Sequence, residues 1–381
     1  MTLFTSIKSK LRFVTIRIVT PFIIHSIFSL LSRRRKTLLI IKNDGIGDYI
    51  LFRNFLRIIR HSKKFGKYKI YVLANQNSKD LALHFDSDIV EQFYWYSDHY
   101  FMKWDLVKLL TSLQRLRLET IFYPNYSRRF TVDWLINQVV AKNKIAVDGD
   151  TINESNEQKI TSDKYYSKLI QADKSTKHEF DRNKNIIEEL TGEKCNLEAP
   201  HIEKERLEII YNGRIVIFTS TSNKAKTWAP SHFNQLCKKI MHNSLLNLII
   251  VNGKNDHSNI AELTAGLPEN RVITLSDLDV IELCEVIGGA KLALSGDTMA
   301  IHVAAALSVP AVCIAKGDLY GRFIPYPEHI NDNIRCVFPR SFDLGNGNYT
   351  QYTPYEINEV SPEMVYEAIQ KTLACAKVNH S

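Results

Sequence analysis

The stretch SGDTMAIHVAAALSVP, residues 295–310, combines an acid, a hydroxyl and a histidine with a run of alanines. A helix that begins at about Asp297 or Thr298 presents unpaired backbone N–H groups and the positive end of its dipole, and both suit a phosphate. A second interpretation makes Asp297 the helix N-cap and His302 a core histidine. That interpretation leaves unexplained why Thr298 and His302 stand beside small residues that pack tightly on a sheet.

The stretch IIKNDGIGDYIL, residues 40–51, raises a related question about a carboxylate near a helix start. A nicotinamide-binding fingerprint requires a third glycine at Ile50 and an acid about twenty residues further on, and both are missing. A general base remains, because the helix dipole keeps the carboxylate of Asp48 ionised and the adjacent glycines leave room for a substrate. Helix capping is the alternative role, and Asp44 is the competing carboxylate.

A third stretch, TSTSNKAKTWAPSHF, groups hydroxyls with two lysines directly after a predicted strand. Hydroxyls and cations that converge on a strand end suit a diphosphate. A solvated surface loop would have the same composition. The residues concerned are Ser220, Thr221, Ser222, Lys224 and Lys226.

Short β-branched runs alternate with helical patterns along the chain, which indicates parallel sheets with crossover helices. We predict an α/β fold with two Rossmann-like domains joined between about residues 192 and 213. Ser361 and Pro362 are typical of a helix start, so the last helix is predicted to begin there. The predicted strands are 37–42, 69–74, 119–124 and 144–149 in the first domain and 214–220, 246–251, 271–275, 291–295 and 311–315 in the second.

Charge is concentrated at the N-terminus of the 381-residue chain. Residues 1–36 hold eight basic residues and no acid, and the remainder has 41 basic and 41 acidic residues. The uncharged run 18–32 is too short to span a bilayer and no small-residue cleavage site follows it. We predict a segment that lies on an anionic membrane surface, with a helix packed on the first domain as the alternative.

The six cysteines are scattered without metal-ligand spacing, so we predict buried free thiols in a reducing compartment. A single D-x-D occurs at residues 86–88, without other ligands nearby, and no metal requirement is expected. A neutral body without a basic patch gives no reason to expect a nucleic-acid partner.

Together the three stretches resemble glycosyltransferase family 9, the bacterial lipopolysaccharide heptosyltransferases. IIKNDGIGDYIL resembles the family's R-x-D-x-x-G-D opening, KTWAPSHF its K-x-W-P-x-x-H/F element, and SGDTMAIHVAAALSVPAV its D-T-G-x-x-H-x-A-A-A-L-x-x-P signature. The resemblance runs from about Thr37 to Thr372 and implies a GT-B fold, two Rossmann-like domains facing a central cleft. It implies that residues 37–205 bind the acceptor and residues 206–360 the nucleotide sugar. The membrane segment 1–36 and a C-terminal helix at 361–381, both predicted from the residues themselves, complete four segments.

The resemblance also implies residue roles. Asp48 would take the proton from the acceptor hydroxyl, and Lys226 would neutralise the departing diphosphate. Arg128 or Arg129 would meet an anionic acceptor, and Asp256, with His257 as the alternative alignment, would contact the nucleoside. The remaining donor-binding residues would be Ser220, Thr221, Asp297, Thr298, Met299, Ala300 and His302.

The implied reaction is inverting transfer of heptose from ADP-heptose to a lipopolysaccharide inner-core or related glycolipid acceptor, at the cytoplasmic face of the inner membrane and without a cofactor. Such transfer needs a base, a stabilised leaving group and exclusion of water. Two alternatives are the same fold with another nucleotide sugar and a non-catalytic binding or scaffold protein. One departure bears on the donor, because Met299 stands where the family has glycine.

Overall fold

The computed structural model describes residue 26 and residues 35–97, 105–221, 223–253, 260–343 and 351–378. The chain forms two compact units. Unit 1 takes the described residues within Met1–Tyr49, Phe55–Thr176 and Arg182–Cys195, and unit 2 those within Ile50–Asn54, Lys177–Asp181 and Asn196–Ser381. Most of the predicted membrane segment, and the predicted nucleoside contacts Asp256 and His257, lie outside the described residues.

Unit 1 is built on a parallel sheet of six strands in the order β3-β2-β1-β4-β5-β6. β1, with the sequence TLLIIK, is buried at every position, as is typical of a central strand in a parallel sheet. The strands are β1 Thr37–Lys42, β2 Lys69–Asn75, β3 Gln92–Tyr96, β4 Thr120–Tyr123, β5 Asn143–Asp148 and β6 Lys168–Gln171.

The helices of this half follow the strands, as in a doubly wound fold. Leucines at helical spacing in α3 and apolar residues of α4 join a buried cluster with β1 and β4, which is the core on one face of the sheet. The helices are α1 Ile46–His61, α2 Lys79–Asp86, α3 Asp105–Arg115, α4 Phe130–Gln138, α5 Asn156–Asp163 and α6 Glu179–Thr191.

Unit 2 repeats the plan with a second six-stranded parallel sheet, ordered β12-β11-β10-β7-β8-β9. Its strands are β7 Ile215–Phe218, β8 Leu248–Asn252, β9 Val272–Ser276, β10 Leu292–Gly296, β11 Ala311–Ile314 and β12 Ile334–Val337. Its helices are α7 Pro230–Asn243, α8 Ile260–Thr264, α9 Val280–Gly288, α10 Met299–Ala306 and α11 Pro362–Val378. In both sheets the order reverses beside the first strand, between β1 and β4 and between β7 and β10, and ligands of such folds bind at these switch points.

The α/β prediction is confirmed, and each predicted strand has a counterpart in the structure. The predicted start of the last helix is also confirmed, since the Met364 N–H donates to Ser361 Oγ at 3.4 Å. Three strands went unpredicted: β3, β6 and β12. All three are edge strands, and each carries exposed or half-exposed residues that break the apolar run.

The cysteine prediction requires a correction. All six cysteines are free, and Cys195, Cys237, Cys284 and Cys313 are buried. Cys375 is exposed, because it lies on the outer side of the last helix, and Cys336 is half-buried on an edge strand. In the part of the chain that the structure describes, no helix is long and apolar enough to cross a membrane.

Candidate active-site residues

The switch point of unit 2 brings together two of the predicted donor residues. Lys226 ends a 3-10 helix, Lys224–Lys226, in the loop after β7, and Asp297 directly follows β10. Because β7 and β10 are neighbours, their loops meet, and Lys226 Nζ lies 2.8 Å from Asp297 Oδ2. The two side chains are 22% and 18% exposed, so the pair is open on one side.

A second carboxylate completes what we call the Lys226 cluster, Lys226 with Asp297 and Asp318. Asp318 Oδ2 lies 3.6 Å from Lys226 Nζ, and its side chain is only 5% exposed. Burial alone would lower the pKa of Lys226, but the charge of Asp297 and the hydrogen bond to it, with a contribution from Asp318, raise that pKa above its ordinary value. The lysine is therefore a fixed cation at the strand ends.

The helix start beside this cluster is capped by Thr298. The Thr298 hydroxyl accepts from the Ala300 N–H at 3.2 Å and lies 2.9 Å from the Ser295 hydroxyl. Helix α10 begins at Met299 with Thr298 as its N-cap, one or two residues after the predicted start at Asp297 or Thr298, and Asp297 is not its cap. The carboxylate of Asp297 therefore has no capping role that competes with ligand binding. Met299 is half-buried in the first turn, and Ala300 is buried behind it.

His302 lies one turn further along α10 and is 6% exposed. Its Nδ1 is 2.7 Å from the Tyr326 hydroxyl, and burial lowers the pKa of the imidazole to about 4. The ring is therefore neutral at physiological pH. Its surroundings are those of a core histidine with a satisfied polar partner, so any contribution to ligand binding comes from behind the helix start.

The loop after β7 is fixed at both ends. The Gly253 N–H donates to Ser220 Oγ at 2.6 Å, which ties this loop to the end of β8, and Thr221 Oγ1 accepts from the Asn223 N–H at 3.2 Å. Beyond Lys226 the buried indole of Trp228 donates to the Val360 carbonyl at 2.8 Å. The tryptophan of the family element is thus the anchor that holds the lysine-bearing loop on the unit 2 core.

In unit 1, Asp48 is the third residue of α1, and Gly45 is the N-cap. A Cβ built at Gly45 would lie 3.4 Å from Asp48 Oδ2, which shows that the carboxylate lies beside the helix start. Glycine at the cap keeps that side of the half-buried carboxylate uncrowded. The competing carboxylate Asp44 has another partner, since its Oδ2 lies 3.0 Å from the buried Lys42 Nζ.

Polar side chains that the sequence did not single out surround this strand end. Asn125, in the loop after β4, accepts from Lys42 Nζ at 3.4 Å and donates to Asn43 Oδ1 at 3.1 Å. Asn75, at the end of β2, donates to the Asn43 carbonyl at 3.0 Å. The switch point of unit 1 is therefore a buried polar network that fixes the loop before α1, and with it the position of Asp48.

Arg128 sits in a different environment, which we call the Arg128 cluster: Arg128, Asp133, Glu154, Asp163 and Tyr166. The guanidinium has no exposed surface, donates to Asp163, and lies 3.5 Å from a carboxylate oxygen of each of the other two acids. The Tyr166 hydroxyl donates to Asp133, and its ring centroid is 5.1 Å from Arg128 Cζ. Arg128 thus has a structural role and no surface with which to meet an acceptor.

Electrostatics in the Arg128 cluster reflect that burial. Desolvation raises the pKa of Asp133 to about 6, and desolvation together with the charge of Asp133 raises the pKa of Glu154 to about 7. The neighbouring Arg129 is half-buried at the N-cap of α4, where its backbone N–H donates to the Tyr123 hydroxyl at 3.2 Å. The acceptor prediction therefore stays with Arg129.

The D-x-D at residues 86–88 is dispersed by its partners. Asp86 is buried and accepts from the Tyr49 hydroxyl at 2.9 Å, and Asp88 forms an exposed ion pair with Arg57 at 3.0 Å. Within the described ranges, no three His, Cys, Asp or Glu side chains converge in a way that could hold a metal ion.

Two parallel six-stranded sheets of the same order, with a lysine–carboxylate pair at one switch point and a helix-start aspartate at the other, fit the GT-B fold. The model of glycosyltransferase family 9 (heptosyltransferase) matches residues 120–333, more than half of the chain, and the chain belongs to this family. It is a heptosyltransferase-family glycosyltransferase. No curated protein sequence matches it.

Solved structures of this family share its fold. The Escherichia coli heptosyltransferase WaaC with ADP-2-deoxy-2-fluoro heptose is 16% identical, with a TM-score of 0.67, over 88% of this chain and 99% of WaaC. E. coli ADP-heptose LPS heptosyltransferase II is 16% identical, with a TM-score of 0.66, over 90% and 99%. A family 9 glycosyltransferase from Veillonella parvula is 14% identical, with a TM-score of 0.68, over 90% and 98%.

Proposed function

We propose that this protein is an inverting heptosyltransferase that moves heptose from ADP-heptose to a lipopolysaccharide inner-core or related glycolipid acceptor. The observation that carries the proposal is the Lys226–Asp297 pair beside the start of α10. A cation, a carboxylate and helix N–H groups at one strand edge match the phosphates and hydroxyls of a nucleotide sugar. The ADP-heptose analogue held by WaaC supports this choice of donor.

The donor side of the reaction is assigned to unit 2. Binding replaces the Lys226–Asp297 contact: the lysine turns to the diphosphate and the carboxylate accepts from sugar hydroxyls. Thr298 and the first amides of α10, with the hydroxyls of Ser220 and Thr221, complete the phosphate contacts. Met299 borders the phosphates, while Ala300 and His302 support the helix start from behind. As the bond to the sugar breaks, Lys226 stabilises the charge that develops on the leaving diphosphate.

The acceptor side is assigned to unit 1. Asp48, in the first turn of α1, takes the proton of the attacking hydroxyl. Arg129 binds an anionic group of the acceptor. Charge stabilisation comes from the lysine and the helix amides, so we propose that no metal or cofactor takes part.

A glycolipid acceptor agrees with the basic, acid-free residues 1–36, which we propose lie on the inner face of the inner membrane. The same donor site would accept another nucleotide sugar if the nucleoside and sugar contacts differ. If this protein is instead a degenerate member of the family, it would bind the donor without turnover. Both alternatives are supported by one observation: the half-buried Met299 lies at the helix start where the family has glycine.

Substituting Asp48 tests the proposed mechanism. We expect Asp48→Asn to reduce transfer about 10²–10⁴-fold, the typical contribution of a general base, because the amide cannot accept the proton. Donor affinity, measured by calorimetry on the same preparation, should stay unchanged. The matched control is Asp44→Asn, which we expect to reduce transfer far less. Equal losses in the two variants, or wild-type activity in Asp48→Asn, would refute the assignment of the base.

A further inference from the structure

Asp318 is a carboxylate at the donor-side switch point that no sequence motif indicated. It follows β11 by four residues, and the residue is 7% exposed. Its two oxygens have separate partners. Oδ1 accepts from the Thr353 N–H and from the Thr353 hydroxyl, each at 2.8 Å, while Oδ2 faces Lys226 Nζ at 3.6 Å. One end of the carboxylate is therefore anchored and the other end is left for the lysine.

The backbone around Asp318 is held in an uncommon conformation that fixes its direction. Gly317 has φ of +97°, and a Cβ there would come within 2.4 Å of the Phe342 ring. Leu319 also has a positive φ, 49°, which for a leucine persists only where the surroundings determine it. The Thr353 hydroxyl also lies 3.3 Å from the Lys316 carbonyl oxygen. The turn therefore presents Asp318 rigidly.

Asp297 differs from Asp318 in how it is held. Among the described residues, Lys226 is the hydrogen-bond partner of the Asp297 side chain, at 2.8 Å. Asp297 can therefore leave the lysine without breaking other side-chain hydrogen bonds. Asp318, with two hydrogen bonds from Thr353, stays where it is.

We propose that Asp318 is a positioning residue that keeps Lys226 aimed at the strand ends while Asp297 exchanges the lysine for the donor. This inference rests on the proposed function of Lys226. A lysine with one anchored partner loses less freedom when it meets the diphosphate, and a preorganised cation stabilises the leaving group more in the transition state than in the ground state. Asp318 therefore acts on the chemical step through the lysine.

Asp318→Asn separates positioning from folding, since the amide oxygen still accepts from Thr353 while the charge facing Lys226 is lost. We expect kcat to fall about tenfold, with the KM for the donor changing less than about threefold, because the looser lysine is offset by the removal of a nearby negative charge. The pKa of Lys226, followed by NMR of ¹⁵N-labelled lysine side chains, should fall.

Two Thr353 variants extend the test. Thr353→Val removes the hydroxyl and keeps the backbone N–H, so kcat should fall by a smaller factor than in Asp318→Asn. Thr353→Ser should restore it. Glu363→Gln, which removes the carboxylate 3.0 Å from Lys239 in the same unit, is the control for loss of a lysine partner away from the strand ends.

Each result of these experiments either supports or overturns the positioning role of Asp318. An unchanged Lys226 pKa and kcat in Asp318→Asn, or an equal effect of Glu363→Gln, overturns the positioning role. If Asp318→Asn does not fold, Thr353→Val and Thr353→Ser decide, and equal kcat in those two variants overturns it. If wild-type protein turns over no nucleotide sugar, the proposed function fails, while the NMR comparison still tests whether Asp318 holds Lys226.

Discussion

Each unit has, after the end of one strand, a cluster in which a cation is paired with carboxylates. The two clusters differ in how far the cation is exposed. Arg128 follows β4 and is sealed among three carboxylates with no exposed surface. Lys226 follows β7, has two carboxylates, and keeps 22% of its side chain exposed. A guanidinium without exposed surface cannot reach a ligand, whereas a partly exposed lysine can exchange one of its partners. Position after a strand therefore does not by itself make a cation functional.

Removing the sealed cation should have the largest effect on stability. We expect Arg128→Met to lower the free energy of unfolding by about 3–5 kcal/mol, because buried carboxylates lose their compensating charge. Urea denaturation measures the change. Arg129→Met, one residue away and half-buried, is the control: it should cost less than about 1 kcal/mol and raise the KM for the acceptor instead. A stable Arg128→Met with only an acceptor defect would reverse the comparison.

Protonation of the Arg128 cluster gives the next effect. Burial and the charge of Asp133 raise the pKa of Glu154 from 4.5 to about 7. The folded chain thus holds the Glu154 proton more tightly than the unfolded chain, and the stability linked to that proton is complete below about pH 4.5 and lost as pH rises through 7.

The Glu154→Gln variant lacks the carboxyl proton that wild type loses over this pH range. Between pH 5 and pH 8 the stability of Glu154→Gln relative to wild type should rise by on the order of 2 kcal/mol. Denaturant unfolding at several pH values measures it, with the exposed Glu157→Gln as control. A pH-independent difference would show that Glu154 stays ionised inside the cluster.

Much of this architecture could be predicted from sequence, because buried parallel strands such as TLLIIK are continuous apolar runs. The sequence also indicated Lys226 and Asp297, which belong to recognisable motifs. Asp318 was not predicted because its partner Thr353 lies 35 residues away in the sequence. Asn125 was not predicted because its partner Asn43 lies 82 residues away.

The burial of Arg128 could not be predicted for the same reason. Its three carboxylates come from separate segments, and only the folded sheet brings them to one guanidinium. Sequence identifies residue types that suit a ligand, but which charges neutralise one another is decided by long-range packing.

The smallest expected effect concerns Met299, two residues after Asp297 of the Lys226 cluster. Met299→Gly restores the glycine of the family pattern at the start of α10. We expect donor affinity to rise less than tenfold, since a side chain is removed near the phosphates, and stability to fall by less than about 1 kcal/mol, the usual cost of glycine in a helix. Calorimetry and thermal unfolding measure the two. Met299→Ala is the control, and weaker donor binding in both variants would show that the methionine contacts the donor favourably.

We propose the partly exposed Lys226 cluster as the nucleotide-sugar site, and calorimetric titration of ADP-heptose into wild type and Lys226→Met tests this assignment most directly. The matched control is Lys239→Met, which removes an ion-paired lysine of the same unit away from the strand ends. We predict binding to wild type and Lys239→Met and at least tenfold weaker binding to Lys226→Met, with all three proteins equally folded. Equal affinity in the three proteins would contradict it.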